Sequence, residues 1–464
     1  MTQEFQNVTD FELKSVVIAA LGEEEGYEIK QLVNSFSYVE SVTSPFVAAT
    51  LRIVDSATLL SDLPIQGGET VKVAVQTSVQ DDPQEYVMQV WTVGNRYAKN
   101  QTQAYTLGLI SVEALNNECV RLMKRLEGKP DDIIKKILRE DLKTEKNFFP
   151  EDATTQFAVK YLPTNRRPFD VISSLCIKSV KKSSTSSGTS TSKSDSEREK
   201  VGGSAGYFFW ENKRGYNFFA VDDLLDDNED TPPWGPYVEK PSNQSDGADD
   251  RFTISDSIFG SEIDVMTAMR KGKYSSLIVF FNHSTGQYHE YDYSIKDAYN
   301  DMKHLGAQNT PALIEFGGKT IADYPTRIIS QVLDHESWYN EPDIASFEES
   351  DQSEKPSEFA DFHKHYAAQS LMRYELLKQQ MATIVIPGNS EICAGDRIDI
   401  KLTNKAPTER TKDEPYDAES SGIYLIQEVT HTYDTTKSTN GRFTTTLRLM
   451  RDSYGDVESK HGTK

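Results

Sequence analysis

The early part of the chain alternates. Leu51 and Ile53 flank Arg52, Val71, Val73 and Val75 alternate with Lys72, Ala74 and Gln76, and Tyr86, Met88 and Val90 alternate with Val87, Gln89 and Trp91. Tyr105, Leu107 and Leu109 alternate with Thr106 and Gly108 in the same way. A period of two is what a strand with one buried face requires. Gly67-Gly68 and Asp81-Asp82-Pro83 punctuate these runs as turns. Residues from about 26 to 115 therefore predict four or more strands with no long helix between them, the pattern of an antiparallel sandwich or small barrel.

The period changes after about residue 116. In residues 129–142 a 3.6-residue stripe places Ile133, Ile134, Ile137, Leu138 and Leu142 on one helical face, with Pro130, Asp131 and Asp132 in the first turn. A second helix follows Pro168, with Phe169, Ile172, Leu175 and Cys176 as its stripe. Two aromatic runs, 207–212 and 216–221, joined by Lys213-Arg214-Gly215, predict a hairpin with Gly in the turn. Residues 116–230 thus read as α+β. Within them, residues 179–204 are Ser-rich with almost no apolar side chain, and predict a mobile loop. Residues 226–250 and 341–361 are further acidic stretches, the former rich in Pro.

A second β-region begins near residue 252. Residues 275–282 (SSLIVFFN) predict a buried strand, and Tyr288, Glu290 and Asp292 opposing His289, Tyr291 and Tyr293 predict its neighbour. Residues 362–381 predict a helix with Ala367, Leu371, Tyr374 and Met381 along one stripe. Strands are then expected at 382–388, 396–402, 422–433 and 442–450, with an Asn-Gly turn before the last. The fold class is mainly β with an α+β middle. The expected segmentation is a first β-domain at 1–116, an α+β region at 117–251, the first part of a second β-domain at 252–300, a continuation of the middle region at 301–364, and the helix and closing strands of the second β-domain at 365–464. Two β-units of similar size point to a duplicated module.

Composition narrows the chemistry. At 464 residues with 37% hydrophobic side chains, two to four domains can each bury a core. The net charge of −22 excludes a nucleic-acid binder that works by replacing counterions, and suits a wall past which DNA moves without sticking. Cys119, Cys176 and Cys393 are far apart and form no CxxC pair, so they are expected to be reduced thiols of a protein made in a cytoplasm. The first residues are polar and acidic, unlike a signal peptide, and no apolar run approaches the ~20 residues a membrane helix needs. Without an export signal, Asn7-Val8-Thr9 carries little weight as a glycosylation acceptor.

Several side chains could carry catalysis or metal binding. His363 and His365 point apart on a helix, and His283 and His289 lie on adjacent predicted strands beside tyrosines. The pairs Asp222-Asp223, Asp226-Asp227 and Asp249-Asp250 fall in acidic surroundings, where adjacent carboxylates are expected to be solvated rather than set across a cleft. Residues 226–230 (DDNED) lack the Gly and terminal Glu of a calcium-binding loop. No nucleophile elbow, phosphate loop or zinc-binding HExxH is present, and Gly202-Gly203 lies in the Ser-rich stretch. No residue is assigned to catalysis, a cofactor or a metal, and the chain is expected not to be an enzyme.

Three groups of segments resemble one family. They are residues 44–75, with a short helical turn at Ala57–Leu60; residues 129–138 with 161–176 and the aromatic hairpin 207–219; and residues 386–402 with 422–433 and 444–452. Together they resemble the central baseplate hub of contractile-tailed bacteriophages, a family related to phage tail protein D and to the VgrG hubs of type VI secretion. The stretches 179–204, 226–250 and 341–361 lie outside the resemblance. The resemblance implies two tube-type β-barrel or sandwich domains with an inserted α+β cup. It also implies a homotrimer forming a pseudo-sixfold ring, with the cell-puncturing spike, the tail tube and other baseplate subunits as partners. DNA would pass transiently through the lumen, and the location would be the virion baseplate after assembly in the host bacterial cytoplasm. The rival readings are a tail-associated enzyme that cleaves glycan or peptidoglycan, and a carbohydrate-binding adhesin.

Overall fold

The computed structural model describes residues 7–20, 22–23, 26–56, 63, 65–78, 80, 82–99, 102–156, 158–182, 204–239, 250–259, 264–282, 287–297, 299–307, 313–332, 368–405, 416–436, 441–457 and 462–463. The alternating early sequence forms seven strands: β1 (Phe11–Ala19), β2 (Gly26–Glu28), β3 (Val33–Ser41), β4 (Ala48–Asp55), β5 (Thr70–Thr77), β6 (Gln84–Lys99) and β7 (Thr102–Ile110). They pair antiparallel in the order β2-β1-β5-β6-β7-β4-β3. As the period of two requires, Val71, Val73 and Val75 of β5 and Tyr86, Met88 and Val90 of β6 turn into one core. Strand β1 was not legible from alternation. Its register shifts between Leu13 and Ser15, so the buried set changes phase from Phe11 and Leu13 to Val16 and Ile18. The helical turn expected at 57–60 lies outside the described residues.

The two helices and the hairpin expected between residues 129 and 221 are present, with additions. Helix α1 (Val112–Cys119) precedes α2 (Pro130–Lys136), which widens into a π-turn over Ile137–Asp141, closed by Leu142 N donating to Ile137 O at 3.0 Å. Ile133, Ile134, Ile137, Leu138 and Leu142 are all buried, and α3 (Pro168–Lys178) buries Phe169, Ile172, Leu175 and Cys176 beside them. The hairpin β8 (Tyr207–Asn212) and β9 (Gly215–Ala220) supplies the sheet under these helices. Gly215 has φ +137, and a Cβ there would lie 2.4 Å from Asn147 O, so only glycine fits. Of the Ser-rich stretch, residues 183–203 lie outside the described residues, as does all of 341–361.

Two segments depart from the sequence reading. Residues 226–250 were expected to be an acidic loop, yet β10 (Trp234–Glu239) runs parallel to residues 397–401 and to Thr253–Ile254. Pro236 is exposed and sits at a register shift, where a missing N–H costs no ladder bond. Residues 252–300 were expected to start the second β-domain. Asp256–Phe259 (β11) does so by pairing with residues 382–385. In contrast, β12 (Ser275–Asn282) and β13 (Gln287–Ser294) pair with each other and with β14 (Arg327–Val332) in a separate sheet. Its core includes Ile278, Tyr293, Ile295 and Tyr299, covered by Ala368, Met372 and Leu376 of a helix at 368–376. That helix was expected to reach 381, but strand alternation takes over at Gln380, so Met381 belongs to a strand.

The closing strands are β15 (Gln380–Pro387), β16 (Arg397–Lys401), β17 (Gly422–Asp434) and β18 (Arg442–Arg451). β17 pairs with β18 on one side. On the other side its first residues pair with β16, and past a bulge at Ile426–Glu428 its remainder pairs with β3. This shared strand fuses both β-units into one 14-stranded sheet. Tyr433 and Phe443, from the end of this hairpin, complete the core of the first unit.

Candidate functional site

Of the residues that sequence reasoning offered for chemistry, those described do not come together. His283, His363, His365, Asp249 and the Gly202-Gly203 pair lie outside the described residues, and so does the side chain of His289. The adjacent aspartates engage different cations: Asp222 bonds Arg373 at 2.6 Å, Asp223 bonds Lys181, Asp226 bonds Lys303 at 3.0 Å, and Asp227 lies 3.5 Å from Arg397. Among the described residues there is no group of three or more His, Cys, Asp or Glu able to hold a metal. A depression of about 390 Å³ is lined by Lys135, Leu138, Arg139, Asn147, Phe148, Phe149 and Glu151, a set with a single carboxylate.

The buried ionisable groups instead pin the modules together. Arg373, from the 368–376 helix, is fully buried. Its Nη2 donates to Asp222 Oδ1 at 2.6 Å and its Nη1 to Asp452 Oδ2 at 2.9 Å. Asp452 follows β18 and also meets His304 Nδ1 at 2.7 Å and Leu305 N at 3.1 Å. Burial pushes the Asp452 carboxyl up, but the bond from His304 and the charge of Arg373 outweigh it and hold the group at about 2. One guanidinium thereby ties together the residues after β9, the β12–β14 unit and the end of the large sheet.

A second pin centres on Glu40 of β3. Its Oε1 accepts from Lys213 N, in the turn of the β8–β9 hairpin, at 2.7 Å and from Tyr38 Oη at 3.1 Å; its Oε2 accepts from Ala394 N at 3.1 Å. The same turn bonds the second β-unit through a two-pronged Arg214–Asp396 pair at 2.9 and 3.0 Å. Nearby, Lys146 bridges Glu113 at 2.7 Å and Glu211 at 2.5 Å, and Glu211 accepts from Val47 N at 3.2 Å. Burial raises the Glu40 carboxyl from 4.5 to about 7, against the opposing bonds from Lys213 and Ala394. The folded chain therefore holds this proton more tightly than the unfolded chain. The stabilisation it brings is complete below about 4.5 and is lost as pH rises through about 7. His431, buried and lowered to about 3, acts in the opposite sense, with its contribution present above 6.5 and lost as pH falls. The comparison that isolates Glu40 is wild type minus Glu40→Gln. Between pH 8 and pH 5 this difference in unfolding free energy is expected to grow by on the order of 2 kcal/mol in favour of the wild type. Urea titrations at several pH values measure it, and a difference constant across that range would refute it.

An exposed apolar run lies on β6. Beyond Val90 this strand loses β5 as a neighbour and continues along β7, which β4 flanks on its other side, as an edge strand to the Lys99–Thr102 pair. Val87, Trp91, Val93 and Tyr97 are 58, 57, 37 and 64% exposed. Trp91 lies across Gly108, where a Cβ would come within 2.9 Å of its Nε1. From Tyr86 to Val112 there is no Asp or Glu, while Arg96 and Lys99 are present. The alternation of β6 already carried apolar residues on both faces, and in so acidic a chain this acid-free run was the available signal.

No family model matches this chain, and no curated protein matches it in sequence. Its fold does match solved structures. A tail protein from Neisseria meningitidis MC58 aligns with TM-score 0.50 at 10% identity, over 96% of this chain and 97% of that one. The 43 kDa tail protein of prophage MuSo2 from Shewanella oneidensis aligns with TM-score 0.50 at 9% identity, over 95% and 99%. A prophage tail protein from Listeria monocytogenes EGD-e aligns with TM-score 0.46 at 9% identity, over 96% and 95%. On the first two, the mainly antiparallel fold of this chain is that of phage tail proteins across nearly its whole length.

Proposed function

We propose that this chain is a structural, non-enzymatic subunit of a virion tail: the central hub of a baseplate. The observation that carries this reading is the 14-stranded sheet that fuses two β-units within one chain, in a fold shared with tail proteins along nearly its full length. Three such chains would present six β-units in a ring. A ring of that kind meets a sixfold tail tube on one side and a threefold spike on the other, and the α+β region between the two units would form the cup around the spike. The pins at Glu40, Lys146 and Arg373 support this mechanical role, because they join the modules through charge and hydrogen bonding. A net charge of −22 repels phosphate, which suits transient passage of DNA through the lumen. Assembly would take place in the host bacterial cytoplasm.

Sedimentation of the purified chain, alone and after co-expression with its spike, tests the reading. The expected mass is three times the 52.3 kDa of one chain in at least the spike-bound sample. A chain that stays monomeric with the spike present overturns it, and so does peptidoglycan-cleaving activity on a zymogram.

A further inference from the structure

We infer that the distal half of β6 is an arm that docks on a second copy of this chain, with a strand of that copy completing its open edge. The inference deepens the homotrimer reading by naming the contact surface, and it rests on that reading.

The edge is open by topology. β5 pairs with Gln84–Gln89, and the last bonds on that side are between Val90 and residues 68–69. From Thr92 to Lys99, β6 pairs with β7 alone among the described residues, while the far side of β7 is already occupied by β4 as far as Gln103. Backbone N–H and C=O groups of Thr92–Lys99 on that side thus have no strand beside them among the described residues, which is the template for adding one. The side chains of this edge are also uncovered: apart from Gly94, every residue of β6 from Trp91 to Lys99 is exposed, although Tyr105 and Leu107 of β7 beside it are buried. An uncovered edge strand is a template for association, and this one keeps Trp91, Val93 and Tyr97 on its surface.

Charge selects the occupant. The arm carries Arg96 and Lys99 and no acid, in a chain whose net charge is −22. Any other copy therefore presents it with a predominantly acidic surface, and the attraction is weakened by salt. The other β-unit offers a matching edge in β11, which pairs with β15 alone among the described residues, exposes Ile258 (61%) and Phe259 (38%), and begins with the exposed Asp256. An arm on the first unit that meets an edge on the second unit of the next copy is a head-to-tail contact, and such contacts close into a ring when the rotation between copies divides the circle evenly.

The test compares the wild type with Val93→Glu/Tyr97→Glu and with Arg96→Glu/Lys99→Glu, by sedimentation and by amide exchange over residues 92–99. The wild type is expected to be a trimer that dissociates as salt is raised, with the outward amides of the arm protected. Each double variant is expected to associate at least about 30-fold more weakly, with an unchanged circular dichroism spectrum and a rapidly exchanging arm. Because the second variant changes only solvent-facing charges, it decides the matter should the first fail to fold. If both folded variants remain trimers, or if the arm exchanges as fast in the wild-type trimer as in the monomer, this inference is overturned and the trimer reading stands. If the wild type is monomeric even with the spike, the trimer reading falls first and the arm on a second copy falls with it.

Discussion

Replacement of Arg373 by methionine is expected to destabilise the chain by about 3–5 kcal/mol, the usual cost of removing one partner from a buried ion pair. The guanidinium is wholly enclosed and donates to Asp222 and Asp452, two carboxylates that are themselves nearly or fully buried. Without it they keep their desolvation cost and lose the charge that offsets it. The control is Arg373→Met combined with Asp222→Asn and Asp452→Asn. Removing the orphaned charges is expected to restore at least half of the lost stability, even though the triple variant has lost more native contacts than the single one. Urea midpoints of the wild type, single and triple variants measure this. A triple variant no better than the single would show that the loss comes from packing around the helix at 368–376 and not from uncompensated charge.

The second large effect is expected at Tyr433. Its ring stacks on Phe443 at 4.3 Å between centroids and on Phe36 at 5.9 Å, and meets Phe11 edge-on at 5.3 Å, while its hydroxyl lies 3.3 Å from that of Tyr86. Tyr433→Ala empties the centre of the first core and is expected to cost about 3–5 kcal/mol. Tyr433→Phe keeps the ring and loses one buried hydroxyl contact, for about 1 kcal/mol. The position of the damage is diagnostic. Although residue 433 is remote in sequence, Tyr433→Ala should speed amide exchange in β1, β3 and β5 more than in β15 or β16. If exchange in the first unit is unchanged, that unit folds without the shared hairpin.

The sequence made local structure legible and long-range structure much less so. β5 and the stripe of α2 declare themselves within about ten residues because one buried face imposes one period, whereas the β8–β9 hairpin and β12 do so as short apolar runs bounded by turn residues. β1 escaped because a bulge at Lys14 broke its phase, and β10 because it lies in an acidic stretch rich in Pro. The β12–β14 sheet was assigned to the wrong neighbour because a strand states which of its faces is buried, never which strand lies beside it. The pins were illegible for the same reason. Glu40 binds Ala394 across 354 residues and Arg373 binds Asp222 across 151, and nothing local separates these acids from the solvated ones. The arm on β6 was half legible, since its exposed apolar residues were visible in the alternation but the absence of β5 beside it was not.

The sharing of β17 between the two β-units also sets an order of events in time. Ser37 and its cross-strand neighbour Thr432 are 395 residues apart. At the ~5–20 residues per second of bacterial-type synthesis, the partner of β3 leaves the ribosome roughly 20–80 s after β3 itself. Throughout that interval the edge of β3 is bare and the first core lacks Tyr433 and Phe443. The first β-unit to be made is thus completed by nearly the last strands to be made. A prematurely terminated chain carries neither unit in finished form, so it can offer a growing assembly only an incomplete surface.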